Sequence, residues 1–239
     1  MALLKTILVG LWFLFACAAA VLMAPFRWGD RRLNRDVAHL LSWGMLRCAG
    51  VRLCIEGREH LDPAVPSIVL FNHQSAFDVA SIGALAHERS VVIGKKELIW
   101  IPFFNLLFLA AGNVMIDRKA RTLAISGLDR AVDVLRRDGA SIWIAPEGTR
   151  NTGDGLLPFK KGAFHMAIAA QVPVVPIVCA SLRPIIDWKQ QIFGPGVLPV
   201  RILAPVPTAG LTDADVEALS AQVRQAMLAA LGEMHAVRG

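Results

Sequence analysis

The hydrophobic pattern changes character several times along the chain. From Thr6 to Phe26 there is no charged residue between Lys5 and Arg27. About 20 apolar residues suffice to cross a bilayer, so this stretch is long enough to span as a helix. Val37 to Val51 then carries Leu40, Leu41, Trp43, Met45 and Leu46 together with Arg47. It is too short and too charged to span alone, and predicts an amphipathic helix lying at a membrane interface. After Gly50 the spacing turns from helical to alternating, and Val51-Arg52-Leu53-Cys54-Ile55-Glu56 predicts a strand ended by Gly57.

Strands and helices then take turns. Ser67-Ile68-Val69-Leu70-Phe71 has the length and β-branched content of a buried strand. A helix from about Phe77 to Ala86, a short strand from Ser90 to Gly94 and a strongly apolar segment from Leu98 to Ala111 follow. Asn113 to Asp117 predicts another strand. Arg121 to Arg137 predicts a helix, apolar at Leu123, Leu128, Ala131, Val134 and Leu135 and stopped by Asp138-Gly139. Ala140 to Ala145 is a buried strand, Lys160 to Ala170 a helix, and Val172 to Val178 and Val200 to Leu203 complete the strands. A final amphipathic helix begins after Thr212, with Asp213 and Asp215 in its first turn. The expected fold is α/β: a central, mostly parallel or mixed sheet flanked by helices, preceded by an N-terminal two-helix membrane anchor. No internal repeat or low-complexity linker interrupts it. The expected division is therefore anchoring helices over residues 1–49 and one domain over residues 50–239.

Composition supports a membrane-attached globular domain. The 239 residues are 55% hydrophobic and 18% charged, high in apolar content for a soluble enzyme and low for a polytopic transporter. Small residues at Ala18-Ala19-Ala20 admit a signal-peptide reading, and Leu14-Phe15-Ala16-Cys17 faintly suggests a lipoprotein box. The apolar stretch runs past both through Val21, Leu22 and Met23, which argues against cleavage. Arg27, Arg31, Arg32 and Arg35 follow the stretch, against Lys5 in front of it. That asymmetry places the downstream domain on the cytoplasmic side, in a bacterium the cytoplasmic face of the inner membrane. Whether the first helix crosses the bilayer or folds back is left open. The net charge of +6 favours anionic partners such as phospholipid head groups or phosphorylated substrates. Nucleic acid is not expected, because no basic run is interleaved with aromatics. Cys17, Cys48, Cys54 and Cys179 show no C-x-x-C pairing and read as small hydrophobes in a reducing compartment.

Candidate chemistry begins at Asn72-His73-Gln74-Ser75-Ala76-Phe77-Asp78. Five residues on a helix turn through ~500°, leaving the two ends ~140° apart. His73 and Asp78 can therefore meet only if the histidine sits on the loop leaving the strand and the aspartate in the first turn of the next helix. A histidine oriented by a carboxylate in this way is a general-base candidate. A second group follows the strand Ser141-Ile142-Trp143-Ile144-Ala145, where Pro146-Glu147-Gly148-Thr149-Arg150 brings a glycine, a hydroxyl and a guanidinium to a strand end. Pro158-Phe159-Lys160-Lys161-Gly162, Lys95, Lys96 and Arg118 add positive charge near other element ends. Together they describe a site for a phosphorylated substrate. No metal is expected: His73, Asp78 and Glu147 match no zinc spacing. An acyl-enzyme intermediate is also not expected, since no G-x-S-x-G elbow is present.

These motifs, N-H-x4-D, G-K-K-E-L with I-P-F-F-N and G-N-V-M-I-D-R, P-E-G-T-R and V-P-V-V-P-I, stand in the order and spacing of the glycerolipid acyltransferases. Across roughly residues 50 to 182 the chain resembles that family, most closely its bacterial 1-acyl-glycerol-3-phosphate acyltransferase branch. Asn151 departs from a serine often found there. The resemblance implies transfer of a fatty acyl group from acyl-CoA or acyl-ACP, as co-substrate with no further cofactor, to the sn-2 hydroxyl of lysophosphatidic acid. It implies His73 as base, Asp78 as its orienter, and Arg150 and Lys95 on the substrate phosphate. Gly148 and Thr149 would shape that pocket, Glu147 would position the acceptor or brace it, and Arg118 would be a further phosphate residue. Rival readings are another acceptor (glycerol-3-phosphate or a lyso-aminolipid), an inactive lipid-binding protein, and a lipid hydrolase. Most of Leu98–Ala111 reads as a buried core helix, the alternative being that part of it lines an acyl-chain tunnel or dips into the membrane.

Overall fold

The computed structural model describes residues 2–30, 32–95, 100, 108, 113–116, 131–151, 153, 155–187, 190 and 192–236. Seven strands form one sheet: β1 (Val51–Glu56), β2 (Ile68–Phe71), β3 (Ser90–Lys95), β4 (Val114–Ile116), β5 (Ser141–Ile144), β6 (Val174–Cys179) and β9 (Gly196–Ile202). They lie in the order β1-β9-β6-β2-β5-β3-β4. From β6 to β4 every neighbour is parallel, while β9 turns antiparallel to β6 and carries β1 with it. The protein is thus a mixed α/β fold. β2, β5 and β6 are buried almost throughout, as strands covered on both faces must be, which explains their unbroken apolar runs.

Helices α1 (Ala2–Met23), α2 (Arg32–Ala49), α3 (Asp78–Ser81), α4 (Gly162–Ala170) and α5 (Val216–Ala236) pack around this sheet, with residues 131–138 also helical. Among the described residues one helix, continuing from α1 through Phe26, is long and apolar enough to cross a membrane. α2 is not of that kind. It lies between α1 and the sheet domain, burying Leu33, Val37, Leu41 and Met45, and is packed against α3, β1 and β3. α1 runs antiparallel to it. Trp12 donates its indole N–H to the Leu40 carbonyl (2.9 Å), and Lys5 Nζ reaches the Ala49 carbonyl (3.3 Å). Gly44 makes the crossing possible, because a Cβ there would sit 1.8 Å from the Trp12 ring.

Several boundaries differ from the sequence pattern for identifiable reasons. α2 starts at Arg32, not Val37, because Asp30 accepts the Arg32 N–H (2.9 Å) and Arg27 bridges Asp30 and Asp36. Charges that look like a loop are an N-terminal cap. The helix expected from Phe77 to Ala86 is one α-turn followed by a 3-10 turn at Gly83–Leu85. β9 begins at Gly196, four residues before the expected Val200, since its glycine and Pro199 read as turn punctuation. The two-residue strands β7 (Ile186–Asp187) and β8 (Ile192–Phe193) form a hairpin too short to leave a periodic trace. Cys54 is exposed, not apolar in its setting. At α5 the capping box is present, with Thr212 N–H donated to Asp215 (2.8 Å).

Candidate active site

The carboxyl ends of β2, β5 and β6 converge on one loop. His73 leaves β2 and Asp78 opens α3, and His73 Nδ1 lies 2.7 Å from Asp78 Oδ2. The same oxygen accepts the backbone N–H groups of Gln74 (2.8 Å) and Ser75 (3.0 Å). Asp78 is 4% exposed and His73 31%, so a buried carboxylate holds a ring that still reaches solvent. With Nδ1–H donated to Asp78, the imidazole lone pair resides on Nε2, the arrangement a general base requires.

The backbone around this pair is fastened on three sides. Asn72 Nδ2 donates to the Cys179 carbonyl (2.9 Å) and its Oδ1 accepts the Cys179 N–H (2.8 Å), so a side-chain amide extends the β2–β6 ladder. Gln74 reaches the carbonyls of Cys179 and Ala180 (2.8 and 3.1 Å). Glu147, buried at 3% exposure, accepts the His73 N–H on one oxygen (3.0 Å) and the Leu157 N–H on the other (2.9 Å). The Asn151 N–H returns to the His73 carbonyl (2.7 Å). Asn72, Gln74 and Asn151 were not singled out from sequence as site residues. The signal available was only their position inside or beside the two motifs.

A cavity of about 650 Å³ opens at this point. His73, Asp78, Gly148, Thr149 and Arg150 lie along it, while Glu147 stands behind as a backbone brace. The remaining wall is largely apolar: Val37, Ala38 and Leu41 of α2, Val79 and Ile82 near α3, Val92 and Ile93 of β3, and Trp143. Asn34 and Asn113 also line it, joined through their amides, Asn34 donating to the Ser90 carbonyl (2.8 Å). The contribution of α2 was not foreseen. Phe108, from the apolar segment, is buried and lines the cavity, whereas Trp100 is exposed; the rest of Leu98–Ala111 lies outside the described residues. Lys95 ends β3, and Arg118 and Lys96 lie outside the described residues.

Gly148 has φ +71°, and a Cβ there would stand 2.6 Å from Lys160 Cε. Lys161, by contrast, is paired with Glu217 across to α5. Cys179 lies behind the dyad, where burial first and the Asp78 charge second push its thiol well up. It is a protonated thiol, the wrong state for a nucleophile. Among the described residues no three His, Cys, Asp or Glu side chains gather as a metal-binding group.

Residues 52–180, more than half of the chain, match the family described as Acyltransferase. The chain belongs to the acyltransferase family. It is 38% identical over 223 residues to the 1-acyl-sn-glycerol-3-phosphate acyltransferase alpha of Homo sapiens, covering 93% of this chain and 78% of that one. It is 40% identical over 168 residues to the 1-acyl-sn-glycerol-3-phosphate acyltransferase of Haemophilus influenzae, covering 70% and 69%. The crystal structure of the 1-acyl-sn-glycerophosphate (LPA) acyltransferase of Thermotoga maritima matches with a TM-score of 0.78 and 25% identity, over 99% of this chain and 98% of that one. The matched stretch contains both motif loops of this acyltransferase, so dyad and basic rim lie within the part that defines the family.

Proposed function

We propose that this acyltransferase moves a fatty acyl group from an acyl thioester, acyl-CoA or acyl-ACP, to the sn-2 hydroxyl of 1-acyl-glycerol-3-phosphate, giving phosphatidic acid. The observation that carries this reading is the 2.7 Å His73–Asp78 pair facing an apolar cavity with Arg150 on its rim. His73 Nε2 accepts the hydroxyl proton as the oxygen attacks the thioester carbonyl. The C–S bond then breaks, the imidazolium returns its proton to the leaving thiol, and ester and free thiol depart with no acyl-enzyme. Such a base contributes on the order of 10²–10⁴ in rate. Asp78 fixes the tautomer and stabilises the imidazolium. Arg150, with Lys95 and Arg118, takes the phosphate, and Gly148 and Thr149 shape its pocket. The cavity extends from His73 toward Ser90 at the start of β3, roughly 15 Å at strand rise, a length suited to a fatty tail.

The test is thiol release from acyl-CoA and acyl-ACP by the detergent-solubilised protein, with and without 1-acyl-glycerol-3-phosphate. The expected result is acceptor-dependent release, lowered by at least ~100-fold in His73→Ala. Release of free fatty acid without acceptor would make the protein a hydrolase. Turnover with glycerol-3-phosphate alone would move the acceptor.

The packing supports an anchor that lies along the membrane. α2 faces the domain along its length, and α1 stays antiparallel to it from Lys5–Ala49 to Arg27–Asp36. This pairing along its length favours α1 lying beside α2 over α1 crossing the bilayer alone. α1 then lies in the near leaflet, presenting Leu3, Leu4, Leu11, Leu14, Leu22 and Phe26, all more than half exposed. Both ends of residues 1–49 then share the cytoplasmic side of the membrane with the domain of residues 50–239, and the cavity wall built by α2 stands next to the lipid phase. An Ala2→Cys variant should resist a membrane-impermeant maleimide added outside spheroplasts, and label only after lysis. Labelling in intact spheroplasts would mean that α1 spans.

A further inference from the structure

The two lysines of Pro158-Phe159-Lys160-Lys161-Gly162 are equivalent in sequence and divergent in space. Lys161 turns to α5 and is neutralised by Glu217. Lys160 lies across the second motif: its Cδ, Cε and Nζ are the three atoms nearest to where a Gly148 Cβ would stand, at 2.9, 2.6 and 3.0 Å. Two bonds hold the backbone that carries it beside the turn. Its own N–H is donated to the Pro146 carbonyl (2.8 Å), and three residues earlier the Leu157 N–H is donated to Glu147 (2.9 Å). The aliphatic stem covers the turn, and the ammonium ends beside Gly148, a cavity-lining residue two positions before Arg150. Among the described residues, neither the Lys160 ammonium nor the Arg150 guanidinium has an ion-pair or hydrogen-bond partner.

We propose that Lys160 is a substrate-binding residue, a second cation beside the Gly148 turn that meets the acceptor phosphate together with Arg150. The assignment rests on the acceptor named above. A phosphate monoester carries about −1.5 to −2 charge near neutrality and presents three acceptor oxygens, which Arg150 alone does not cover and which cations from separate elements can share. Arg150 offers a planar fork and Lys160 a compact point charge on a flexible stem, so the two engage different oxygens of the group. The glycine itself answers to its positive φ, and the lysine adds a lesser constraint. Any side chain at 148 would displace the lysine stem, in addition to the strain of φ +71°.

Lys160→Met keeps the stem over the turn and removes the charge. In the full-length protein, with acyl-CoA as donor and 1-acyl-glycerol-3-phosphate as acceptor, it should raise the acceptor KM by about 10- to 100-fold, as expected for a lost charge-assisted hydrogen bond. The acyl-CoA KM should stay within about twofold. Lys160→Arg should recover most of the loss, and Lys161→Met should leave the acceptor KM within about twofold. The phosphate loses its second proton near pH ~6, so the wild-type acceptor KM should fall from pH 5.5 to 7.5, and Lys160→Met should flatten that fall. A structural role would instead lower kcat and raise both KM values together, without changing the pH profile. An unchanged acceptor KM in Lys160→Met, beside an active wild type, overturns this assignment alone. A wild type without acceptor-dependent turnover overturns the functional reading and this assignment with it.

Discussion

The two halves of the site are built in opposite ways. On the dyad side, Asp78 is buried and its Oδ2 takes three donors, while both oxygens of Glu147 are spent on backbone N–H groups. On the rim, Thr149, Arg150 and Lys160 are exposed. The difference matches what each half has to do. A base must stand within hydrogen-bond reach of one proton, and its geometry has to be set before substrate arrives. Cations that bind a phosphate act over a wider range and gain from conforming to the ligand. The base side should therefore respond to substitution in kcat, and the rim in KM.

The sharpest way to break that contrast after His73→Ala is Asp78→Asn. Among the described residues Asp78 Oδ1 is buried without a hydrogen-bond partner, and the three donors point at Oδ2. An asparagine can place its oxygen where Oδ2 was and its NH₂ where Oδ1 was, keeping three hydrogen bonds and the histidine tautomer. What it loses is the negative charge beside the imidazolium. We expect kcat to fall by about 10²–10³, within the range of general-base effects, with the acceptor KM and the melting temperature little changed. A matching rise in KM would mean that the two halves are not separable.

On the rim the order reverses. Lys160→Met should leave kcat less affected than KM, so the two variants together form a double dissociation. Their combined variant should show the product of the single effects, because among the described residues the two share no partner. Any strong departure would point to coupling through Glu147, whose carboxylate ties His73 to Leu157 on the way to Lys160.

How far all this was legible depended on the range of the interaction. The His73–Asp78 contact follows from five residues of spacing and a strand end, and the sheet from runs such as Ile68–Phe71 and Val174–Cys179. α2 forming a cavity wall did not follow. Its apolar positions say that one face is buried, but Val37 and Leu41 carry no mark of the partner they bury against. Glu147 was legible as a motif residue and not as a brace, since a backbone N–H contributed by a loop 74 residues away leaves no trace in composition. The separation of Lys160 from Lys161 depends on which way α4 faces, and hence on α5 at Glu217.

The smallest expected effect tests whether the frame and the rim also answer separately to pH. His87 packs against Trp143, a cavity-wall residue, with ring centroids 6.0 Å apart, and its Nδ1 accepts the Arg89 N–H (3.2 Å). Burial, outweighing the nearby Glu88 charge, lowers its pKa to about 4. The unfolded chain, with an ordinary histidine near ~6.5, binds this proton first as pH falls. Stability from His87 is therefore complete above pH ~6.5, declines through the window below it, and is gone below about pH 4, a loss of up to roughly 3 kcal/mol. Urea midpoints measured at intervals between pH 7 and 4 should fall more steeply for wild type than for His87→Phe, which keeps a ring against Trp143 and cannot be protonated. The acceptor KM of His87→Phe, measured where it remains folded, should still weaken below pH ~6, because under the proposed function that response belongs to the phosphate and to the cations proposed to meet it. If replacing His87 removed the pH dependence of KM as well, the rim would be reading the state of the frame, and the division between a rigid base and adaptable cations would fail.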